Sequence, residues 1–168
     1  MRSGSITARE ATIAGNLVNG NITVNDAAGS SIGGDDTLYI VGNRLTTNTG
    51  AVTTGRILWS NNDHYFHIAN NWVRSDIGNS LAVGLIDINQ IRTGAETNQI
   101  VNNSCESTDA GYQIGINIGP AIPAGCRLKI ENNLFHDEFS GNDNLSFEWA
   151  IHFATVSSGA LEIGRAHV

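Results

Sequence analysis

Lysine occurs once in this chain, at Lys129, and proline, cysteine and methionine are nearly as scarce, at two, two and one. With nine Lys and Arg against 16 Asp and Glu the net charge is −7, so the basic face that binds nucleic acid is missing. No apolar run approaches the roughly 18 residues of a membrane-spanning helix, and no membrane span is expected. Both prolines, Pro120 and Pro123, fall between Gly119 and Arg127. That segment must leave any sheet, because proline cannot donate to a strand ladder. The two cysteines, Cys105 and Cys126, do not settle a redox compartment. In place of these residues the chain holds 19 Gly and abundant Asn, as suits a fold that turns a corner every few residues. Its 168 residues suggest one domain.

One short pattern is written five times, at Ala11 to Val18, Leu38 to Leu45, Phe66 to Val73, Asn98 to Cys105 and Leu128 to Phe135. Each copy has Ile followed three residues later by Asn: Ile13/Asn16, Ile40/Asn43, Ile68/Asn71, Ile100/Asn103 and Ile130/Asn133. The repeated Asn recurs at steps of 27, 28, 32 and 30 residues, the spacing of a solenoid with loops of uneven length. Apolar residues alternate before the Asn, as in a strand with period two. They resume two residues after it, at Val18, Leu45, Val73, Cys105 and Phe135. Two strands therefore meet at a corner. The corner's first residue is only ever Gly or Asn (Gly15, Gly42, Asn70, Asn102, Asn132), the residues that tolerate positive φ. The Asn that follows is expected to bond to its equivalents in neighbouring copies, forming a ladder. Ile burial, at roughly 1.5–3 kcal/mol each, outweighs single ladder bonds at about 0.5–1.5 kcal/mol. The aliphatic stacks hold the coil and the Asn column fixes its corner.

A third strand lies between copies, at Ile22 to Val24, Ile57 to Trp59, Leu85 to Ile88, Ile114 to Ile118 and Ala150 to Phe153. Three short strands per turn of about 30 residues is the plan of an all-β, single-stranded, right-handed parallel β-helix of five to six coils. Over residues 6 to 163 the pattern hydrophobic-x-Ile-x-Asn-Asn-x-hydrophobic resembles the repeat of the pectate-lyase-like superfamily. That superfamily includes lyases, hydrolases, tail-spikes and non-catalytic surface proteins, so the resemblance speaks for fold more than for activity. It implies an extracellular or cell-surface location and a polysaccharide partner. Met1 to Ser5 holds no apolar region of a signal peptide, so export rests on the resemblance alone.

In that superfamily the polymer lies along the outer face of the third strand, beside the loops that precede it. Alternation turns Thr23, Leu58, Asp87, Asn117 and His152 outward there, stacked about 4.8 Å apart. By this reading Asp87 and His152 are the candidates for proton transfer. Asn117, Arg56, Arg92, Glu148 and Trp149 are the candidates for holding substrate. A β-eliminating lyase of that superfamily would need a base, often Arg or Lys, and Arg56 and Arg92 flank the right strands. The resemblance leaves Ca²⁺ open as a cofactor, with Asp87 alone to bind it on that face, a thin supply for an ion that prefers several oxygens. The polygalacturonase branch is not expected. Its Asn-Thr-Asp, double-Asp and Gly-His-Gly signatures are missing from the third strands, since Asp35-Asp36 lies in a loop and His152 sits between Ile151 and Phe153. Arg127-Leu128-Lys129 echoes that branch's Arg-Ile-Lys on another strand.

The remaining polar clusters read as solvated surface. Asp63-His64 and His136-Asp137-Glu138 lack metal-ligand spacing, so no metal site is expected. The outward column Thr12, Tyr39, His67, Gln99 and Lys129 shows no convergence. Trp72, outward, and Trp149, in the long loop His136 to Trp149, can stack on sugar rings or pack under a neighbouring loop. Cys105 falls inside the coil, and a buried free thiol is expected there, with a Cys105–Cys126 disulfide the alternative. Residues 1–162 are expected to form a β-helix that is incomplete at both ends. Residues 163–168, where a sixth copy starts at Ala160 without its Asn pair, read as a non-native tail. Open strand edges at the ends invite association of copies into a homo-oligomer. Three functions fit: a polysaccharide-engaging segment without evident catalysis, a polysaccharide lyase or glycoside hydrolase, and a tail-spike or adhesin segment.

Overall fold

A computed structural model describes residues 12–25, 37–46, 57–60, 64–75, 84–107, 113–120, 122–137, 147–154 and 160–163; of residues 25, 107, 113, 137, 147–149 and 160–163 it describes the backbone only. Arg56 and Asp63 lie outside these residues, as do Glu138 and the Asp35-Asp36 pair. Every described element is a strand, and no helix is long and apolar enough to cross a membrane. The first coil is β1 (Thr12–Ala14), β2 (Leu17–Asn19) and β3 (Ile22–Asn25); the second is β4 (Thr37–Val41), β5 (Arg44–Thr46) and β6 (Ile57–Ser60). The third is β7 (Tyr65–Ala69), β8 (Trp72–Ser75) and β9 (Gly84–Ile88), and the fourth β10 (Asn98–Val101), β11 (Ser104–Ser107) and β12 (Gln113–Ile118). The fifth is β13 (Arg127–Glu131), β14 (Leu134–Asp137) and β15 (Phe147–Phe153), after which β16 (Ala160–Ile163) opens another turn.

Like strands stack on like. Sheet A runs β1-β4-β7-β10-β13-β16, sheet B β2-β5-β8-β11-β14, and sheet C β3-β6-β9-β12-β15. Every described pairing is parallel. Register places each repeated Ile on the next, Ile13, Ile40, Ile68, Ile100, Ile130 and Ile163. The chain is therefore a parallel β-helix with three strands per coil. Ile163 pairs with Ile130 and so belongs to β16, leaving 164–168 outside the described residues.

Five columns fill the interior, one of them Leu38, Phe66, Asn98 and Leu128. Besides the Ile column there are Val18-Leu45-Val73-Cys105-Phe135, Ile22-Ile57-Ile86-Ile116-Ile151 and Val24-Trp59-Ile88-Ile118-Phe153. Trp59 is fully buried and meets Phe66 edge-on at 5.3 Å between ring centroids, a favoured aromatic geometry. Cys105 and Cys126 are both buried and free, so the thiol expectation holds and the disulfide alternative does not.

The corners follow from sterics. Gly15, Gly42, Asn70, Asn102 and Asn132 have φ of 67°, 66°, 56°, 56° and 54°, the left-handed region that other residues avoid. Behind each stands the ladder. Asn16, Asn43, Asn71 and Asn103 each donate a side-chain N–H to Oδ1 of the Asn one coil on, all at 3.0 Å. The same Oδ1 also accepts the backbone N–H of the preceding Asn. The second amide hydrogen of Asn43, Asn71, Asn103 and Asn133 goes to the carbonyl of Ile13, Ile40, Ile68 and Ile100. Both donors and two acceptor sites of each interior Asn are thus used, which is why a buried amide is tolerated.

Several boundaries differ from the sequence reading. His136 and Asp137 belong to β14, where a loop was expected, and β8 and β11 likewise run on past the repeat's last apolar residue, through Arg74-Ser75 and Glu106-Ser107. Phe147, Glu148 and Trp149 are likewise part of β15 and not of the long loop. The ladder carries two or three residues beyond the hydrophobic pattern because backbone pairing does not require apolar side chains. Asn98 takes an interior slot that holds Leu38, Phe66 and Leu128 elsewhere, and is fully buried. Its Nδ2 reaches the carbonyls of Arg92 and Arg127, tying the β9–β10 connection to the start of β13.

Candidate functional site

Period-two alternation in sheet C forces one outward residue per strand into a single row. Register confirms the order Thr23, Leu58, Asp87, Asn117, His152. The last three are joined by hydrogen bonds. Asn117 Nδ2 donates to Asp87 Oδ1 at 2.8 Å, and Asn117 Oδ1 lies 2.8 Å from His152 Nδ1. An amide oxygen only accepts, so the hydrogen of the second bond sits on His152 Nδ1.

These side chains differ in burial. Asp87 is 2% exposed and Asn117 7%, whereas His152 is half-buried. Facing away from the coil interior therefore does not make Asp87 and Asn117 solvent-facing, and of the three His152 is the one partly exposed. Burial pushes the Asp87 carboxyl above its ordinary range, with the Asn117 hydrogen bond pulling the other way. A desolvated carboxylate beside one amide donor holds that donor firmly. Next to the row, β15 carries an irregularity. Gln113 pairs with Phe147 but Ile114 pairs with Trp149, so Glu148 is skipped. Such bulges often re-aim side chains beside functional sites.

The structure does not gather all the residues expected at this site. Arg92 places its guanidinium over the Tyr65 ring of sheet A, 4.9 Å from the centroid. Tyr65 itself is buried, its hydroxyl donating to the Thr93 carbonyl at 3.0 Å. Arg92 thus helps pin the β9–β10 connection. Trp149 is paired with Ile114 in β15, and neither its side chain nor that of Glu148 lies within the described residues. Arg56 lies outside them too.

Other expectations change as well. His64, read as solvated loop polarity, is 2% exposed at the mouth of β7. Trp72 is outward on sheet B as expected, but Arg44 stacks over its ring at 4.3 Å, a cation–π contact. Arg74 and Glu106, beside them on sheet B, form a 2.9 Å ion pair. In the outer column of sheet A, Tyr39 and His67 approach with ring centroids at 5.5 Å.

The Asp87 row does not fit Ca²⁺. Calcium takes six to eight oxygens, whereas Asp87 Oδ1 faces an N–H donor and Asn117 Oδ1 faces His152 Nδ1. Among the described residues no three His, Cys, Asp or Glu side chains converge as a metal site. In comparisons with protein-family models, with curated proteins and with solved structures, no match to this chain was found.

Proposed function

We propose that this β-helix is a segment of a secreted or surface protein that engages extracellular polysaccharide along the outer face of sheet C. The likeness of its repeat to the pectate-lyase-like superfamily supports the reading, and one observation carries it. The Asp87–Asn117–His152 row is not something the coil needs. At the same outward position the earlier coils hold Thr23 and Leu58, and those strands pair just as well. Burying a carboxylate and an amide costs several kcal/mol unless each is satisfied. A row that bears this cost and ends in a half-buried imidazole has the character of a recognition site.

Binding ranks above catalysis. His152 is the one proton-transfer group in the row that is partly exposed, and the buried Asp87 is engaged by Asn117. A glycosidase needs two carboxyl groups across the scissile bond, and an eliminating lyase needs a base with charge neutralisation beside the uronate. The test is calorimetric titration of the full chain with a panel of neutral and acidic polysaccharides, alongside absorbance at the unsaturated-uronate band. Saturable binding with flat absorbance is expected. A rise in absorbance would make the protein a lyase, and absence of binding across the panel would end the polysaccharide reading.

A further inference from the structure

The five Lys and Arg side chains among the described residues are all held against sheets A and B. On sheet B, Arg44 lies over Trp72 and Arg74 pairs with Glu106. On sheet A, Lys129 pairs with Glu131, and Arg127 Nη1 donates to the Ala95 carbonyl at 3.1 Å. Arg92, in the β9–β10 connection, covers Tyr65 of the same sheet. The strands of sheet C hold two acidic residues, Asp87 and Glu148, one His, and no Lys or Arg. The described basic groups therefore stand on two walls of the coil, and the third wall, where the candidate row lies, has none on its strands.

We infer that the polysaccharide engaged along sheet C is uncharged, a polymer of hydroxyl-bearing sugars without carboxylate, sulfate or phosphate groups. The class of polymer rests on the polysaccharide reading and narrows it, away from the uronate chain that an eliminating lyase would take. A polyuronate presents a carboxylate on every sugar. Proteins hold such groups with guanidinium or ammonium donors, or through Ca²⁺. The described cations stand elsewhere, and the hydrogen bonds within the Asp87 row do not fit Ca²⁺. A net charge of −7 adds a repulsive field against any polyanion.

What the row offers suits neutral sugars. Asp87 and Asn117 are buried and bonded to each other, which leaves Thr23, Leu58 and His152 as its half-buried members. A hydroxyl, an aliphatic surface and an imidazole meet the hydroxyls and C–H faces of a sugar without requiring charge on it. Four arginines lie outside the described residues: Arg2, Arg9, Arg56 and Arg165. In sequence, Arg2 and Arg9 precede β1 and Arg165 follows β16, so Arg56, directly before β6, is the one that adjoins a strand of sheet C.

A matched pair of polymers separates charge from sugar: polygalacturonate, and its fully methyl-esterified form, in which the same backbone has every carboxylate capped. The full chain is titrated calorimetrically with both, with alginate as a second polyanion, and with a neutral glucan, xylan and mannan, at low and at raised salt. The tightest binder should be uncharged, with an affinity at least about tenfold above that of either polyanion, because like charges brought together oppose binding. That affinity should stay level as salt is added, since screening acts on charges. A polyanion that binds as tightly as the best uncharged polymer, or more tightly, would overturn the inference. Loss of that polyanion's binding in Arg56→Gln would then trace the error to the arginine beside β6. No binding of any polymer would remove the polysaccharide reading itself.

Discussion

Asn103 Oδ1 takes two hydrogen bonds from Asn71, one from its backbone N–H and one from its side-chain amide, both at 3.0 Å. Asn103 Nδ2 in turn donates to Ile68 O and to Asn133 Oδ1. Replacing Asn103 with Ala deletes four bonds and strands a buried N–H, so it should cost roughly 3–5 kcal/mol. Asn16→Ala, at the half-buried first rung, loses two side-chain bonds and should cost about 1 kcal/mol. Thermal melts followed by circular dichroism compare them. Equal losses at both sites would show that the ladder does not depend on burial.

The corner makes a separate prediction. Asn102 is exposed with φ of 56°, so a substitution there tests backbone and not packing. Asn102→Val should destabilise by about 1–2 kcal/mol, while Asn102→Gly should change stability by a few tenths. Denaturant titration distinguishes the pair, and a tolerated Val would mean that the corner can relax out of the left-handed region.

Both thiols should be inert in the folded protein. The thiolate is the reactive species. Burial pushes Cys105 up to about 12, and burial raises Cys126 as well, against a weak Asn98 contact. A thiol reagent at mildly alkaline pH should find neither in the native state and both after unfolding. Cys105→Val should be accepted, because Val73 holds the same slot one coil earlier. Fast native labelling would contradict the burial.

Asp87 gives a pH signature. Its folded-state pKa is raised above the ordinary 3.8 by burial, so the protonated form favours the fold. That stabilisation is complete below the ordinary value and is lost as the pH rises through the raised one. Asp87→Asn removes the dependence. The melting temperature of the variant minus that of the native chain should climb from acid toward neutral pH and then level off. A difference that stays flat across this range would show that Asp87 is not desolvated.

Much of the architecture was legible in the residues. The Ile and Asn periods fixed the stacking, the Gly-or-Asn restriction fixed the corner's backbone, and alternation named the outward row of sheet C correctly. Burial was not legible. Alternation tells which way Asp87 and Asn117 face, but not what lies against them. That is why an open polar strip was expected where two of three side chains are enclosed. His64 was misjudged for the same reason. Arg92 was assigned by its nearness in sequence to β9, yet its partner Tyr65 lies 27 residues earlier, and no local pattern announces such a contact. Asn98 broke the apolar pattern visibly, and its bonds to the Arg92 and Arg127 carbonyls explain why an amide serves there.

The most direct test is to map the polymer's footprint. Backbone and side-chain NMR shifts of the full chain, recorded as a bound polysaccharide is titrated in, should move around Leu58 and His152 on sheet C and leave the outer columns of sheets A and B still. Shifts centred on Tyr39 and His67, or on Arg44 and Trp72, would place the ligand on another wall of the coil and contradict the account.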